Sequence, residues 1–325
     1  CPVGTAIIKT QSDAALLSSC WPSFDGYIVV SSFNGDLDLG PIQKIGGNLT
    51  IMGNQELRSV IASKLSSIQG SLNVGNLTSL ETLSMPNLTN AGNVYLSSLP
   101  KLSTVQFKQA LITNNVVMTD TALTSPPDFM QTVALMEISN NTQMSSVNLS
   151  IESATRLVVG MNGSNLTAFM PNLTTATIVK IKGVSQLDLP TLQSVQRDML
   201  VSDNDFERLS LPSLVSIDFD LQISNNSRLE DLSLPLFQSI GGDLKVQGNP
   251  SLRDVPLSKL SNVGGVMNLN GTFSSLTIPE IASVQGDMNI WTTDKFSCDP
   301  LIDYKEKGVI KGSLSCMASN TNPST

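Results

Sequence analysis

The chain contains no histidine among its 325 residues. This absence excludes Ser-His-Asp and Cys-His catalytic mechanisms and every metal site that depends on imidazole ligands. Only 14% of the residues are charged and 5% are aromatic, whereas serine, threonine and asparagine supply most of the polarity. Such a composition favours short strands and tight turns over charged amphipathic helices.

Basic residues are scarce as well, with 19 lysines and arginines against 27 aspartates and glutamates and a formal net charge of -8. Because phosphate binding needs clustered positive charge, the sequence predicts no nucleic-acid partner. No stretch approaches the roughly 20 apolar residues of a membrane span, and no hydrophobic leader precedes Cys1. These features indicate a mature ectodomain from which the targeting segments have been removed.

The four cysteines lie near the ends of the chain, Cys1 with Cys20 and Cys298 with Cys316. Four cysteines allow three connectivities, and this layout favours two local bridges. Neither pair has the C-x-x-C spacing of a zinc site or a redox motif, so we expect structural disulfides, each contributing about 3 kcal/mol in the chain-entropy model. Structural disulfides indicate an oxidising, extracellular compartment.

A repeat of 20 to 23 residues runs through most of the chain. Its mark is a G-x-L-x-V motif, in which one exposed residue separates two apolar ones. Shorter flanking versions lie at 37–39 and at Leu314. The twelve full triplets are 49–51, 72–74, 94–96, 116–118, 136–138, 157–159, 179–181, 199–201, 221–223, 244–246, 267–269 and 288–290.

The remainder of each period is equally regular. An asparagine follows the strand, as at Asn54, Asn141, Asn226 and Asn249, and we expect its amide to bond to backbone groups of a tight turn. A second short strand then ends in a proline turn, because proline cannot donate to a strand ladder. These prolines are Pro86, Pro171, Pro190, Pro212, Pro235 and Pro279.

No ten-residue amphipathic helical pattern fits between successive strands. Coils made only of short strands and turns are typical of a parallel β-helix. Period-2 alternation directs Leu49 and Ile51 inward and Thr50 outward. The sequence therefore predicts an all-β fold, a single right-handed parallel β-helix or leucine-rich solenoid of about 12 coils, with disulfide-stapled caps at both ends.

Caps are expected because a solenoid exposes a sheet edge and an open core at each end. We predict a Cys-bounded helical cap over 1–34, solenoid repeats over 35–297, a second Cys-bounded cap over 298–316 and the start of a Ser/Thr/Asn-rich linker over 317–325. The helix of the first cap has Ser12 as its N-cap candidate. Its expected apolar face consists of Ile8, Ala15 and Leu16.

Ten N-x-S/T sequons predict N-linked glycans. All fall in turns or strand approaches, and none uses the exposed central position of a G-x-L-x-V strand. Glycans at these positions would leave that face of the sheet clear. The acceptors are Asn48, Asn76, Asn87, Asn140, Asn148, Asn162, Asn165, Asn172, Asn225 and Asn270.

The Cys-bounded first segment followed by coils such as Gly47-Asn48-Leu49-Thr50-Ile51 resembles the receptor L domains of insulin and epidermal growth factor receptors. The chain is more similar still to the fungal GPI-anchored cell-wall organisation proteins of the sporulation-specific and extracellular-mutant type, over residues 1–316. The resemblance implies a cell-surface or wall-linked glycoprotein that supports wall organisation and integrity. It implies no catalytic residue and no cofactor. It places membrane contact only in a GPI anchor, whose signal is absent from this sequence.

One enzymatic alternative is a β-helix polysaccharide hydrolase or lyase, since paired carboxylates can act as acid and base on a glycosidic bond. Each candidate pair lies beside a repeat turn, where aspartate is common for backbone reasons. No basic residues gather there to bind acidic sugars, so we predict no catalytic or metal site. The candidate pairs are Asp203 with Asp205, Asp218 with Asp220, and Asp36 with Asp38.

A further alternative is a ligand-binding ectodomain or adhesin that uses the glycan-free sheet face to bind wall polysaccharide or surface proteins. Exposed apolar area can mark a partner site, although strands favour valine and tyrosine anywhere. Trp21 is expected to pack under the first cap, and Trp291 is the one candidate for stacking on a sugar. The possible partner face comprises Tyr95, Val117, Glu137, Val158, Lys180 and Leu200.

Overall fold

A computed structural model describes residues 3–20, 22–108 and 111–319, without the side chains of residues 130–132. The described residues are almost entirely strand and turn, and parallel strands form a β-solenoid of about 14 turns. The predicted fold class is therefore confirmed. The chain forms two compact units, Cys1–Glu152 with Val158–Ser164 and Ser153–Leu157 with Asn165–Thr325, called unit 1 and unit 2 below.

The two helices are α1 (Gln11–Cys20) and α2 (Asp299–Glu306). The first fifteen strands are β1 (Thr5–Ile8), β2 (Ser23–Phe24), β3 (Tyr27–Val30), β4 (Gly35–Asp38), β5 (Lys44–Ile45), β6 (Leu49–Met52), β7 (Leu57–Ile61), β8 (Ser67–Gly75), β9 (Thr82–Met85), β10 (Asn90–Leu99), β11 (Thr104–Phe107), β12 (Asn115–Thr121), β13 (Met130–Ser139), β14 (Ser146–Asn148) and β15 (Ser150–Gly160). The others are β16 (Thr167–Phe169), β17 (Thr175–Lys182), β18 (Gln186–Asp188), β19 (Ser194–Val195), β20 (Met199–Ser202), β21 (Arg208–Ser210), β22 (Ser216–Ile217), β23 (Leu221–Ser224), β24 (Asp231–Ser233), β25 (Ser239–Ile240), β26 (Leu244–Asn249), β27 (Asp254–Pro256), β28 (Asn262–Val263), β29 (Met267–Gly271), β30 (Ser275–Thr277), β31 (Ser283–Val284), β32 (Met288–Thr292) and β33 (Leu314–Ala318).

The main strand of each coil carries the predicted triplet. In unit 1, Leu49 faces Leu72 in parallel register, and in unit 2 Leu221 faces Leu244. In all twelve triplets the outer two residues are buried and the middle residue is half-buried. Because each buried aliphatic side chain contributes about 1.5–3 kcal/mol, these inward ladders are the main source of stability.

Six of the twelve motifs open with glycine, and the close stacking of the coils explains it. A Cβ atom on Gly47 would lie 2.6 Å from the carbonyl oxygen of Gly26 in the preceding coil. A Cβ on Gly265 would lie 2.7 Å from the carbonyl carbon of Gly242. Both distances are shorter than a Cβ contact can be, so the corner that enters these main strands requires glycine.

The periodic asparagines have the structural role that the sequence predicts. In unit 2, Asn204, Asn226 and Asn249 are buried in successive turns. The Asn249 Oδ1 atom accepts hydrogen bonds from the Asn226 backbone N–H at 2.9 Å and from its Nδ2 at 3.1 Å. The Asn226 Oδ1 atom binds Asn204 in the same way, at 3.0 and 2.9 Å. These bonds form a ladder that satisfies buried polar groups from coil to coil.

Unit 1 has a less continuous version of this ladder. The Asn162 Oδ1 atom accepts hydrogen bonds from the backbone N–H and the Nδ2 of Asn141, at 3.1 and 3.0 Å. The Asn54 side chain is not linked to another asparagine; its Oδ1 accepts the Phe33 N–H at 2.6 Å, and its Nδ2 donates to the carbonyls of Val30 and Met52. A single asparagine is therefore enough to satisfy one turn.

The proline turns are confirmed at all six positions. In each, the carbonyl of the residue before proline accepts the backbone N–H of the residue two after it, as in a β-turn with proline at its second position. The accepting and donating residues are Met85 and Leu88, Met170 and Leu173, Leu189 and Leu192, Leu211 and Leu214, Leu234 and Phe237, and Ile278 and Ile281.

Helix α1 forms in the first Cys-bounded segment, but its predicted N-cap, Ser12, is wrong. Thr10 and Asp13 form the cap, since Asp13 accepts the Thr10 N–H at 2.8 Å and donates its own N–H to the Thr10 hydroxyl. This reciprocal pair resembles a capping box, which Ser12 cannot form with the apolar residue three positions later. The predicted apolar face is corrected too: Ala14, Leu17 and Ile8 are buried, whereas Ala15 and Leu16 are exposed.

The coil count exceeds 12 because main strands also lie outside the twelve triplets. Strands β1 and β3 pair with each other inside the segment predicted as the first cap, and β33 pairs with β32. The triplet predicted at 37–39 is not a main strand; its residues 37 and 38 lie in β4, which pairs with β7 in a separate sheet. Its alternation alone could not distinguish the two kinds of strand.

The second cap contains helix α2 and the predicted Cys298–Cys316 disulfide, with Cα atoms 6.0 Å apart. Cys20 is also disulfide-bonded. Its predicted partner Cys1 lies outside the described residues, as does Trp21.

Candidate functional surfaces

The predicted partner face consists of the middle residues of six main strands, four of them in unit 1 and two in unit 2. In unit 1, Val117 lies in register between Tyr95 and Glu137, and in unit 2 Lys180 faces Leu200. These five side chains and that of Val158, also in unit 1, are half-buried. Half-burial leaves each of these side chains only partly accessible. Binding by this face stays a prediction.

The more exposed apolar side chains of the main strands lie on the terminal ones. Ile7 on β1 is 58% exposed, and Trp291 on β32 is 55% exposed. Trp291 lies in register with Met317 of β33 and with the sequon residue Asn270. Trp291, the candidate for stacking on a sugar, therefore lies exposed on the outer side of its strand. Its neighbour Met317 was assigned to the linker, since a lone methionine gives no strand signal.

The ten sequons fall into two structural classes. Eight acceptor asparagines are exposed, and Asn48 and Asn162 are half-buried. The Asn162 amide belongs to the unit 1 ladder, and its Nδ2 also donates to the Ile138 carbonyl at 2.9 Å. The Asn48 Oδ1 accepts the Ser71 N–H of the next coil at 2.8 Å. These two asparagines are thus used by the fold, which sequon spacing could not reveal.

The candidate catalytic carboxylates are almost all engaged in local structure. Asp203 forms an ion pair with Lys182 at 3.3 Å, and Asp205 forms one with Arg228 at 3.4 Å. Among the described residues, only the Asp218 side chain of these six has no hydrogen-bond or ion-pair partner. The remaining three accept hydrogen bonds: Asp36 from the Ser59 hydroxyl, Asp38 from the Gly40 N–H, and Asp220 from the Asp243 N–H.

A second set of carboxylates supports the corners of unit 2. Asp243 accepts the Val266 N–H of the next coil at 2.8 Å, and Asp287 accepts the Ser313 N–H at 2.7 Å. The Val266 N–H, aided by Lys245 at 3.2 Å, holds the pKa of Asp243 below its ordinary value. The pKa of Asp287 is lowered in the same way by its hydrogen bonds to Ser313. Both groups therefore remain ionised at neutral pH.

The described part of the chain contains no group of three or more Asp, Glu, Cys or His side chains that could hold a metal ion. Nor does it contain a helix with the length and apolarity needed to cross a bilayer.

Comparison with known proteins decides the family. The chain is 31% identical over 326 residues to protein ecm33 of Aspergillus fumigatus, and the match covers 99% of this chain and 81% of that protein. The chain belongs to the fungal Ecm33/SPS family. This confirms the resemblance to cell-wall organisation proteins.

Other members of the Ecm33/SPS family agree with this assignment. The cell surface GPI-anchored protein ECM33 of Candida albicans is 32% identical over 332 residues, covering 100% of this chain and 80% of that protein. The cell wall protein ecm33 of Schizosaccharomyces pombe is 26% identical over 216 residues, covering 65% of this chain and 51% of that protein. No family model and no solved structure matches the chain. The chain is thus an extracellular cell-wall protein, as predicted.

Proposed function

We propose that this Ecm33/SPS protein is a non-catalytic, N-glycosylated structural glycoprotein of the fungal wall. The observation that carries the proposal is the use of its carboxylates. Five of the six aspartates that could form a catalytic pair are held in ion pairs or hydrogen bonds of the coils themselves. These contacts favour a structural role for the carboxylates, whereas glycoside hydrolysis needs one carboxylic acid and one carboxylate that flank the scissile bond.

Attachment and modification complete the proposal. A relative that matches the whole chain is named as a GPI-anchored surface protein, so we infer a GPI anchor for the full-length protein. Eight sequon asparagines are exposed, which favours N-linked glycans along the turns. Stacked coils that carry glycans at their turns, together with a lipid anchor, suit a structural glycoprotein of the wall.

Genetic complementation of a deletion strain distinguishes a structural role from an enzymatic one. Full-length protein with Asp203→Asn, Asp205→Asn, Asp218→Asn and Asp220→Asn changes is expressed in a fungal strain from which the native Ecm33 relative has been deleted. We expect the variant to restore resistance to wall-perturbing dyes as well as the parent does. If the protein is a hydrolase or lyase, the strain that carries the variant will stay sensitive to the dyes although the variant reaches the surface. This result would overturn the proposal. A parent protein that reaches the surface but does not restore dye resistance would also count against a role in the wall.

A further inference from the structure

Unit 2 carries a groove of about 410 Å³ along one corner of its coils, lined by polar side chains and by the apolar residues Ile217, Ile240 and Val263. Its wall is the series Ser239, Asn262 and Ser283, which are register partners on β25, β28 and β31. Asp218 and Gln285 also line the groove. Because parallel strands lie about 4.8 Å apart, the groove presents a polar side chain at each successive coil.

The floor of the groove is bare backbone. A Cβ atom on Gly241 would lie 2.0 Å from the Asp218 carbonyl oxygen, and one on Gly264 would lie 2.1 Å from the Gly241 carbonyl oxygen. Both positions are thus restricted to glycine by stacking, and both glycines are exposed. The groove is therefore a fixed feature of the corner rather than a space that a side chain could fill.

The lining offers hydrogen-bonding capacity that the chain does not use. The Ser239 hydroxyl and the Asp218 carboxylate have no side-chain partner among the described residues. Asn262 and Gln285 are exposed, and each uses only its amide nitrogen, in bonds of 2.9 Å to Ser261 and 2.8 Å to Ser283. Their amide oxygens remain available as acceptors.

The charge of the groove limits the class of ligand. No lysine or arginine is among its described lining residues, and its one charged group is Asp218. Because that carboxylate repels anions, phosphates and acidic sugars are poor ligands for this site. A mixture of hydroxyl, amide and carboxylate groups instead suits a neutral molecule with many hydroxyls, which can both donate and accept hydrogen bonds.

An aromatic ring follows the groove directly in the chain. Phe219, next to Asp218, is 54% exposed. The Arg197 guanidinium lies 5.7 Å from the centre of this ring and pairs with Asp198 at 3.7 Å, so it brings no unpaired positive charge beside the groove. Phe219 does not line the groove itself, but an exposed ring one residue from Asp218 offers an apolar platform for the C–H face of a sugar that extends beyond the groove.

We propose that this groove binds a neutral wall polysaccharide, with the chain of sugars lying across successive coils. The proposal deepens, and rests on, the assignment to the cell wall, where such polymers are the neighbouring molecules. None of the ten sequon asparagines lines the groove, so N-linked glycans leave its walls accessible. The repeated lining matches a polymer with a repeating unit better than it matches a compact ligand.

Titration calorimetry of the secreted, enzymatically deglycosylated protein tests the groove. The probes are laminarihexaose and chitohexaose as neutral oligosaccharides and hexagalacturonate as the anionic comparison. We expect at least one neutral probe to bind and the anionic probe not to bind. The double variant Ser239→Arg with Asn262→Arg should weaken binding of the neutral probe by at least about tenfold. Ser233→Arg, at a half-buried serine of strand β24 outside the groove, should bind like the parent with an unchanged melting temperature.

The outcomes distinguish this inference from the proposed function. The assignment of the groove as a polysaccharide site would be overturned if neither neutral probe binds. It would also be overturned if the double variant binds a neutral probe as tightly as the parent does. The same double variant is also tested for complementation in the deletion strain. If the parent fails to bind sugar yet restores wall resistance, the groove is wrong and the structural role stands. If the quadruple Asp→Asn variant loses complementation at normal surface level, the structural role is wrong whatever the groove binds.

Discussion

The two units satisfy the same turn in different ways. In unit 2 three buried asparagines are linked in series, whereas in unit 1 Asn54 satisfies its turn without an asparagine neighbour. What the turn requires is an amide that can both accept from and donate to buried backbone groups. Hydrogen bonds between the asparagines are not needed to satisfy a turn. In unit 2 they are present in addition, and they make each coil depend on the asparagine side chain of the next coil.

The corners before the main strands show a similar contrast. In unit 1 the amide oxygen of Asn48 accepts the N–H of the next coil at 2.8 Å, and in unit 2 the carboxylate of Asp243 does so at the same distance. The common requirement is an acceptor of the correct length rather than a negative charge. The charge then makes the corner of unit 2 sensitive to pH.

The largest effect that separates the units is expected at the centre of the ladder. Asn226→Ala removes the acceptor of the Asn204 N–H and Nδ2 and the donor to the Val201 carbonyl, and it takes one of two donors from Asn249 Oδ1. Asn54→Ala removes the partners of the Phe33 N–H and of the Val30 and Met52 carbonyls, but it breaks no bond between asparagines. At about 1–3 kcal/mol for each unsatisfied buried group, we expect a loss of about 3–5 kcal/mol for Asn226→Ala and about 2–3 kcal/mol for Asn54→Ala in urea unfolding. Glu230→Ala, at an exposed side chain of unit 2, serves as the control and should lie within about 0.5 kcal/mol of the parent. Equal losses at Asn226 and Asn54 would show that linkage adds nothing.

Glycan occupancy should follow the same division between buried and exposed asparagines. Asn162 is half-buried and its Nδ2 donates to the Ile138 carbonyl, so a glycan on this nitrogen would crowd the unit 1 ladder, and we expect chains modified there to fold poorly and be retained. Asn225 is exposed, and its glycan would disturb no buried group. Site mapping by mass spectrometry of the secreted protein should therefore find Asn225 occupied and Asn162 unmodified. Full occupancy at Asn162 in folded, secreted protein would contradict the ladder.

The smallest effect concerns pH. The pKa of Asp243 is lowered from its ordinary value of 3.8, so its bonds stabilise the protein above that pH and are lost as the pH falls through the lower folded value. Asp243→Asn should remove this dependence, and Asn48→Asp should introduce it in unit 1. We expect each change to alter the acid sensitivity of unfolding by less than about 1 kcal/mol. The measurement is the free energy of unfolding of each variant below pH 4. If its dependence on pH is the same in both variants as in the parent, the proposed role of the carboxylate is wrong.

Much of the coil could be predicted from the sequence because each repeated residue has a local structural role. Proline marks a turn, glycine marks a corner where the preceding coil is in contact, and Asn226 marks a buried turn. Because the coils stack, the same residue types recur at the same place in each coil, and the register of the twelve triplets could therefore be read from the sequence. The helix cap was not, since Thr10, Ser12 and Asp13 are all good capping residues and only the fold selects among them.

The candidate surfaces were less predictable, because they depend on contacts between coils. Sequon spacing could not separate Asn162 from Asn225, since burial of an amide is decided by the neighbouring turn. The groove was missed for a related reason. Gly241 and Gly264 are far apart in sequence, and only stacking aligns them into one floor between Asp218 and Gln285.

The alternation of the main strand supports all of these conclusions, and one pair of variants tests it most directly. Leu221 is 1% exposed and belongs to an inward ladder, whereas its neighbour Gln222 points outward and is half-buried. An unpaired charge at the inward position costs several kcal/mol even after relaxation. We predict that Leu221→Asp abolishes secretion and that Gln222→Asp is secreted at the parent's level with a similar melting temperature. Normal secretion and unchanged melting of Leu221→Asp would contradict the inward assignment on which the solenoid depends.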